Sequence, residues 1–161
     1  MAKNMDASYV NAFVQGAQRV FDKICQETPS LGKIFLKTNP YTVSEVSVSV
    51  DIFGAFEGEI VYNMTEDAGC FIVSRMMPGF STPSMQEDMA KSAVSELANI
   101  ISGNVATIFS GKEIVVDIRT PVLRFNAAAD DFPLARKTPK IVCVPLQFKD
   151  GYVFEVDVII P

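Results

Sequence analysis

Apolar residues recur every three or four positions in two long segments of the chain, which is the spacing of a helix with one buried face. The first segment is Asp6 to Glu27, and Thr28-Pro29 ends it. Its apolar positions are Val10, Phe13, Val14, Ala17, Val20, Phe21 and Ile24. A shorter helix is predicted from about Thr65, whose hydroxyl suits an N-cap, to about Met77.

The second long helix is predicted to run to about Phe109. Its start is placed at Ser84-Met85-Gln86-Glu87, because Ser followed three residues later by Glu fits a capping box. One face is apolar and consists of Met89, Ala90, Ala93, Val94, Leu97, Ile100 and Ile101. This face is predicted to contact the core, so the opposite side of the helix should lie in solvent.

Apolar and polar residues alternate in other segments, which indicates half-buried strands. Two hairpins are predicted, one from Val43–Phe53 and Glu59–Met64, the other from Lys140–Phe148 and Tyr152–Ile160 around Lys149-Asp150-Gly151. Pro145 indicates an edge position or a bulge. Shorter strands are expected at 32–37 and 113–119, and a long loop at 120–137.

The order of these elements predicts the fold class. Helix, strands, hairpin and helix are followed by helix, strand and hairpin, so the chain should be an α+β protein with two similar halves, 1–80 and 81–161. We expect a single domain over 1–161, with an antiparallel β-sheet and the two long helices on one of its faces.

Composition narrows the functional classes. The 161 residues are 48% apolar and 20% charged, which suits one globular domain. A net charge of −5 without clustered Lys or Arg argues against nucleic-acid binding. The start has no signal-peptide pattern and no apolar run is long enough to span a membrane, so a cytoplasmic protein is expected. Cys25, Cys70 and Cys143 are interpreted as reduced thiols rather than metal ligands or disulfides.

The sequence contains no histidine. This excludes Ser-His-Asp and Cys-His nucleophile pairs, a histidine phosphorelay and nearly all zinc hydrolase designs. Any chemistry must therefore use carboxylates, amides, hydroxyls or groups of a partner.

One polar stripe of the second long helix is a candidate site. Ser92, Glu96, Asn99 and Gly103 follow one another at helical spacing, and Glu96 and Asn99 point roughly 60° apart. The apolar face is centred on Leu97, so Asn99 should lie nearly opposite it and Glu96 at its flank. An isolated Glu-x-x-Asn is common, and the alternative is an ordinary solvated helix face.

The setting of this stripe strengthens the functional interpretation. Ser-x3-Glu-x2-Asn-x3-Gly, within AVSELANIISGNVA, resembles the CheC/CheX family of chemotaxis phosphatases, whose Asp/Ser-x3-Glu-x2-Asn helix is followed farther along by a proline. Pro121 is the candidate for that proline. The resemblance extends over essentially the whole chain and is greatest to the CheX group, which has this size and one motif.

This resemblance implies a protein substrate, a phosphorylated CheY-like response regulator that carries its own Mg²⁺. It implies that Asn99 orients the attacking water and that Glu96 pairs with a regulator lysine. Ser92, Gly103 and Pro121 would contact the partner. The resemblance further implies a homodimer with no cofactor of its own.

The first long helix offers no second copy of the motif, because Val10 and Phe13 stand where Glu96 and Asn99 would. Two alternatives to an enzyme stay open. One is a non-catalytic adaptor or binding dimer of the same fold, in chemotaxis or flagellar-switch signalling. The other is a ligand-binding or structural dimer whose interface buries the motif helix.

Overall fold

The computed structural model describes residues 7–79 and 84–161. Within these residues the helices and strands, in chain order, are α1 (Ala7–Cys25), β1 (Ser30–Leu31), β2 (Phe35–Lys37), β3 (Val46–Gly54), β4 (Gly58–Met64), α2 (Glu66–Met76), α3 (Asp88–Ser110), β5 (Val116–Ile118), β6 (Val122–Phe125), a 3₁₀ turn (Ala129–Asp131), α4 (Pro133–Arg136), β7 (Ile141–Gln147) and β8 (Val153–Ile159). None of these helices is long and apolar enough to cross a membrane.

All strands join one antiparallel sheet with the order β1-β7-β8-β4-β3-β5. β2 continues β1 along β7, and β6 continues β5 along β3. Both predicted hairpins, β3–β4 and β7–β8, are present with regular registers. The α+β class and the antiparallel sheet are therefore confirmed.

The two halves of the chain are interlocked in this sheet. The short strands that follow α1 pair with β7 of the second half, and those that follow α3 pair with β3 of the first half. Each pair of short strands is interrupted by three residues, Gly32–Ile34 or Arg119–Pro121. The interruptions are held alike, since Gly32 N donates to Pro145 O at 2.9 Å and Arg119 N donates to Asp51 O at 3.0 Å. The predicted repeat of two halves is therefore visible in the register.

The long helices α1 and α3 cover one face of the sheet, as predicted. Alternate residues of β3, including Val46, Val48 and Val50, point to this face and are fully buried. They pack in one core cluster with the inner sides of both helices. The other face of the sheet carries a smaller apolar cluster under the segment that contains α4, made of Tyr41, Val61, Phe132, Ala135, Ile141 and Ile159.

The predicted capping box is wrong. α3 begins at Asp88, and Glu87 is its N-cap without a side-chain hydrogen bond. Ser84 instead stabilises the preceding turn, where its Oγ accepts from Gln86 N at 3.0 Å and its carbonyl accepts from Glu87 N at 3.3 Å. Its hydroxyl also donates to Glu66 at the start of α2. The Ser-x-x-Glu pattern therefore marks a turn between two helices.

The predicted loop at 120–137 contains regular structure. Val122–Phe125 forms β6 and pairs with Val46–Ser49 of β3, and α4 follows. Four residues are too few for a convincing alternating pattern, so a distant partner strand decides this structure. β3 is consequently an interior strand.

Pro145 lies within β7, which has neighbours on both sides. Its carbonyl accepts from Gly32 in the interruption between β1 and β2. The N and C=O of one strand residue face the same neighbour, so the missing N–H faces that interruption and no ladder bond is lost. The bulge alternative is therefore correct.

Candidate functional site

Three residues of the predicted stripe are exposed on α3. Ser92, Glu96 and Asn99 lie in solvent, while Gly103 is half-buried. The opposite side of the helix is buried through Ala90, Val94, Leu97, Ala98, Ile101, Ser102, Val105 and Phe109. The sequence thus placed Glu96 and Asn99 correctly outside the core face.

Contacts on the buried side of α3 fix its rotation. The Phe109 ring packs edge-on against Tyr9 and Phe13 of α1, with centroids 5.2 and 5.8 Å apart. Tyr62 in β4 and Ser102 in α3 share a buried hydrogen bond of 2.8 Å between their hydroxyls. Because these contacts tie α3 to both α1 and the sheet, its outer stripe has a defined direction.

A second wall faces the stripe and is formed by the bend between β5 and β6. Together the two walls enclose an open cavity of about 550 Å³, lined by Ser92, Ser95, Glu96, Asn99, Ile118, Arg119, Thr120 and Pro121. The bend is anchored to β3 through the hydrogen bond from Arg119 N to Asp51 O. A helix and a strand interruption, each held by the core or the sheet, therefore position the site.

This cavity brings together four of the five residues singled out from the sequence. Ser92, Glu96 and Asn99 line one wall and Pro121 the other. Gly103 lies farther along the helix and is not part of the lining. A Cβ at Gly103 would meet no atom within 4 Å, so the space above it is open.

Sequence reasoning missed several lining residues. Arg119 and Thr120 join the cavity because of the bend beside Pro121, and the position of that bend depends on pairing with β3. The Arg119 guanidinium lies 4.4 Å from the centroid of the Phe53 ring, which holds the cation at this edge. The only sequence signal for these two residues is their adjacency to Pro121.

Met89 was assigned to the core and is instead 56% exposed. It lies in a shallow apolar hollow with Met77 and Ala93, directly beside Ser92. The helical period places Met89 at the boundary of the apolar face. An exposed methionine next to the polar stripe adds an apolar contact to the candidate surface.

The chemical groups of the cavity are hydroxyls, one amide, one carboxylate and one guanidinium. No hydrogen bond or ion pair ties the Glu96 or Asn99 head group to another of the described residues. Such a set lacks a histidine base, but it can orient water and charged groups of another molecule.

A different cluster, on the other face of the sheet, has metal-ligand types. Cys143, Glu155 and Asp157 bring their ligand atoms within 4.8 Å of one another. Lys37 already supplies the cation there, since its Nζ lies 2.7 Å from Glu155 and 3.1 Å from Asp157. Burial opposes ionisation of Glu155, yet the hydrogen bond from Lys37 holds the pKa of this carboxyl below its usual value. A divalent metal would meet that ammonium, so the cluster fits an internal ion pair better.

Comparison with known proteins bears on the α3 cavity. The chain is 29% identical over 125 residues to the CheY-P phosphatase CheX of Thermotoga maritima. The matched region covers 74% of this chain and 76% of that protein. It is 26% identical to CheX in the CheX-CheY-BeF3-Mg+2 complex from Borrelia burgdorferi, with a TM-score of 0.77 over 98% of this chain and 99% of that chain.

The fold recurs in the chemotaxis protein CheX of Desulfovibrio desulfuricans, with a TM-score of 0.77, 22% identity and coverage of 95% of this chain and 99% of that chain. The sequence model of the family described as "Chemotaxis phosphatase CheX" matches residues 46–139, which is more than half of this chain and includes the whole of α3. The chain therefore belongs to the CheX family of chemotaxis phosphatases.

Proposed function

We propose that this protein is a phosphatase that hydrolyses the aspartyl phosphate of a CheY-like response regulator. One observation carries the proposal. Glu96 and Asn99 are exposed on α3 without hydrogen-bond partners among the described residues, and they face the Pro121 bend across an open cavity. Family membership gives the reaction class, and the relative in the Borrelia burgdorferi complex is bound to CheY. The proposal treats 1–161 as one cytoplasmic CheX-like domain.

In this proposal Asn99 is the catalytic residue. Its amide enters the regulator's active site and orients a water in line with the bond between phosphorus and the aspartyl oxygen. The water oxygen bonds to phosphorus, and the bond between phosphorus and the aspartyl oxygen breaks. The products are the free carboxylate and inorganic phosphate. A neutral amide can donate and accept without adding negative charge beside the phosphoryl group. Mg²⁺ on the regulator neutralises charge on the phosphoryl oxygens.

Glu96 serves mainly as a docking residue. It lies on the same stripe less than one turn from Asn99, and its carboxylate is free to form a charge-assisted pair with a regulator lysine. Such a pair would fix the angle at which Asn99 enters. Ser92 and Gly103 flank the pair with small side chains and permit close approach, while Pro121 contacts the partner from the opposite wall.

A homodimer is also part of the proposal. The β1–β2 edge of the sheet is apolar and exposed, through Leu31, Ile34, Phe35 and Leu36. Pairing two copies along this edge would cover it and leave α3 accessible, because the α3 cavity lies beside the opposite, β5–β6 edge. Sedimentation of the wild-type chain and of Leu36→Lys tests this arrangement; a wild-type monomer would contradict it.

The decay of a phosphorylated CheY-like regulator, measured with and without catalytic amounts of this protein, tests the main proposal. Faster decay with multiple turnovers supports the enzyme. Binding to the phosphorylated regulator without faster decay would contradict it and indicate the non-catalytic adaptor. If the dimer interface buried the motif helix, the protein would neither bind the phosphorylated regulator nor speed its decay.

A further inference from the structure

Two carboxylates lie directly opposite each other on the sheet face that α1 and α3 leave uncovered. Asp51 of β3 is the cross-strand neighbour of Glu59 of β4. Like charges in this arrangement are unfavourable unless a cation lies beside them. Glu59 is only 7% exposed, and its Oε1 has no hydrogen-bond partner among the described residues.

The other half of the molecule shows how an equivalent carboxylate is stabilised. Glu155 of β8 lies opposite Pro145, at the position that Glu59 has opposite Asp51. Lys37 of β2 reaches it, with Nζ 2.7 Å from Glu155 Oε2. The half-buried carboxylate of the second half therefore has a primary ammonium beside it, which the first half supplies.

The residue that corresponds to Lys37 is Arg124 in β6, since Lys37 pairs with Ile141 of β7 and Arg124 pairs with Ser47 of β3 at the matching register. Its guanidinium is engaged elsewhere. Nη1 donates to Ser49 at 2.9 Å, and the group stacks 5.5 Å from the centroid of Phe132. Within 7–79 and 84–161, no lysine or arginine forms an ion pair with Glu59.

Glu59 instead lines a cavity of about 470 Å³. Asp51, Glu57 and Glu59 supply its acidic side from the β3–β4 hairpin. The opposite rim is formed by the β5–β6 bend and by α4, so the cavity opens to solvent beside the sheet edge. The lining carries charges of both signs, since it also includes Arg119, Arg124, Asp131 and Lys137. A small molecule can enter it without displacing a strand.

We infer that this cavity binds a small molecule that carries a primary ammonium group, which takes beside Glu59 the place that Lys37 takes beside Glu155. Three acidic side chains of the β3–β4 hairpin line it, and Glu59 has no ion pair in the described part of the chain, whereas its counterpart Glu155 pairs with Lys37. An ammonium offers three donors, enough for both Asp51 and Glu59. Burial, reinforced by Asp51, raises the pKa of Glu59 to about 7, while Arg124 and a hydrogen bond with Ser49 lower it without offsetting the burial.

The location has a measurable signature, because Arg119 and Thr120 line both this cavity and the α3 cavity. A ligand beside Glu59 therefore lies behind the second wall of the phosphatase site. Backbone amides of Ser49, Asp51, Glu59 and Arg119 should report its binding.

The test is a titration of the full ¹⁵N-labelled chain with propylammonium chloride at pH 8, followed by NMR. Sodium chloride at equal concentration and 1-propanol serve as controls for ionic strength and for the propyl group. We expect saturable shifts at those amides with propylammonium only. Glu59→Gln should weaken binding at least tenfold, whereas Glu113→Gln, an exposed glutamate outside the cavity, should bind as the wild type does.

A second variant, Arg124→Lys, keeps the test valid if Glu59→Gln does not fold. It should place beside Glu59 the ammonium that Lys37 places beside Glu155, and so compete with the added amine and lower its affinity. Four results would overturn the inference. Two are shifts that do not saturate and shifts that occur equally with propanol. The others are shifts that map to Glu96 and Asn99 instead and shifts that persist unchanged in both variants. None of these results depends on the response regulator, so they are separate from a failure of the phosphatase proposal.

Discussion

The interruptions Gly32–Ile34 and Arg119–Pro121 occupy matching positions in the two halves, and each is held by a hairpin of the other half. Next to the second interruption, α3 presents a carboxylate and an amide to solvent. Next to the first, α1 presents no such pair. Phe13, which the sequence aligns with Asn99, is fully buried against Phe109. The two halves therefore offer two matching positions for a site, and only the position beside α3 carries the exposed pair of carboxylate and amide.

Glycines in the two long helices show the same contrast. A Cβ on Gly16 of α1 would lie 2.7 Å from Val105 Cγ2, so this glycine allows α1 to approach α3. A Cβ on Gly103 of α3 would meet nothing within 4 Å. The first glycine is explained by packing inside the chain. The second has no such role in the chain and is available for contact with a partner.

The largest effect is expected from Asn99→Ala, which should reduce stimulated dephosphorylation by about 100-fold or more, by analogy with removing one positioned donor from an active site. Regulator affinity should change little, because docking rests on Glu96. The decay rate of the phosphorylated regulator measures this. Asn104→Ala is the matched control, since that amide bonds to Ile100 O on the same helix. Equal losses in both variants would contradict the assignment.

Buried Glu59 and half-buried Glu155 should differ in how they link stability to pH. The pKa of Glu59 is raised to about 7 in the folded protein, so between roughly pH 4.5 and 7 the folded state holds more protons than the unfolded state. Stability should therefore fall as pH rises through this range. At pH 8, Glu59→Gln should be more stable than the wild type by about 1–3 kcal/mol, with little difference at pH 5.

Urea unfolding of both proteins at pH 5 and pH 8 checks this expectation. Glu155→Gln provides the opposite case, because the pKa of Glu155 is lowered by its bond with Lys37. That substitution should destabilise the protein at pH 8. If Glu59→Gln and Glu155→Gln changed the free energy of unfolding in the same direction at pH 8, the expected difference between the two glutamates would be wrong.

Gly16→Ala tests the packing role of the α1 glycine. The new methyl group would overlap Val105, and overpacking of this kind costs about 1–3 kcal/mol. The free energy of unfolding should fall by that amount, less the gain of up to about 1 kcal/mol that alanine brings as the better helix former. A variant as stable as the wild type would show that α1 and α3 can separate without cost.

Glu96→Ala should act on docking more than on the fold. Loss of a charge-assisted contact to a regulator lysine should weaken affinity about tenfold, equivalent to about 1.4 kcal/mol. Titration calorimetry with the stably activated regulator measures the affinity, and Glu113→Ala provides an exposed control. Wild-type affinity with reduced turnover would move Glu96 from docking to chemistry.

The smallest effect on stability is expected for Gly103→Ala. Alanine is the better helix former by up to about 1 kcal/mol, and no clash opposes it. The fold should be unchanged or slightly more stable, while regulator affinity should fall if the partner approaches closely. Wild-type affinity in this variant would place Gly103 outside the interface.

The part of the site on α3 could be predicted because it depends on local periodicity. Leu97 and its apolar neighbours set the buried face, and the directions of Glu96 and Asn99 follow from helix geometry. The opposite wall could not be predicted in this way. Arg119 and Thr120 are placed by pairing of β5 and β6 with β3, which lies far away in the sequence.

The same reason explains the other differences. β6 consists of four residues, and the capping-box letters of Ser84 and Glu87 serve a turn that also contacts α2. In both cases the structure is decided by contacts with residues far along the chain, which a pattern of four residues does not include. The contrast between Glu59 and Glu155 likewise depends on residues more than sixty positions distant along the chain, Arg124 and Lys37.

The exchange of short strands between the halves has a consequence for folding. The wall that carries Pro121 is chemically part of the second half, yet its hydrogen bonds end on β3 of the first. Neither half can complete its sheet alone, so the two should unfold in a single cooperative transition. Amide hydrogens of β6 should then exchange as slowly as those of the β3–β4 hairpin. The α3 cavity would thus be assembled only when the whole chain has folded.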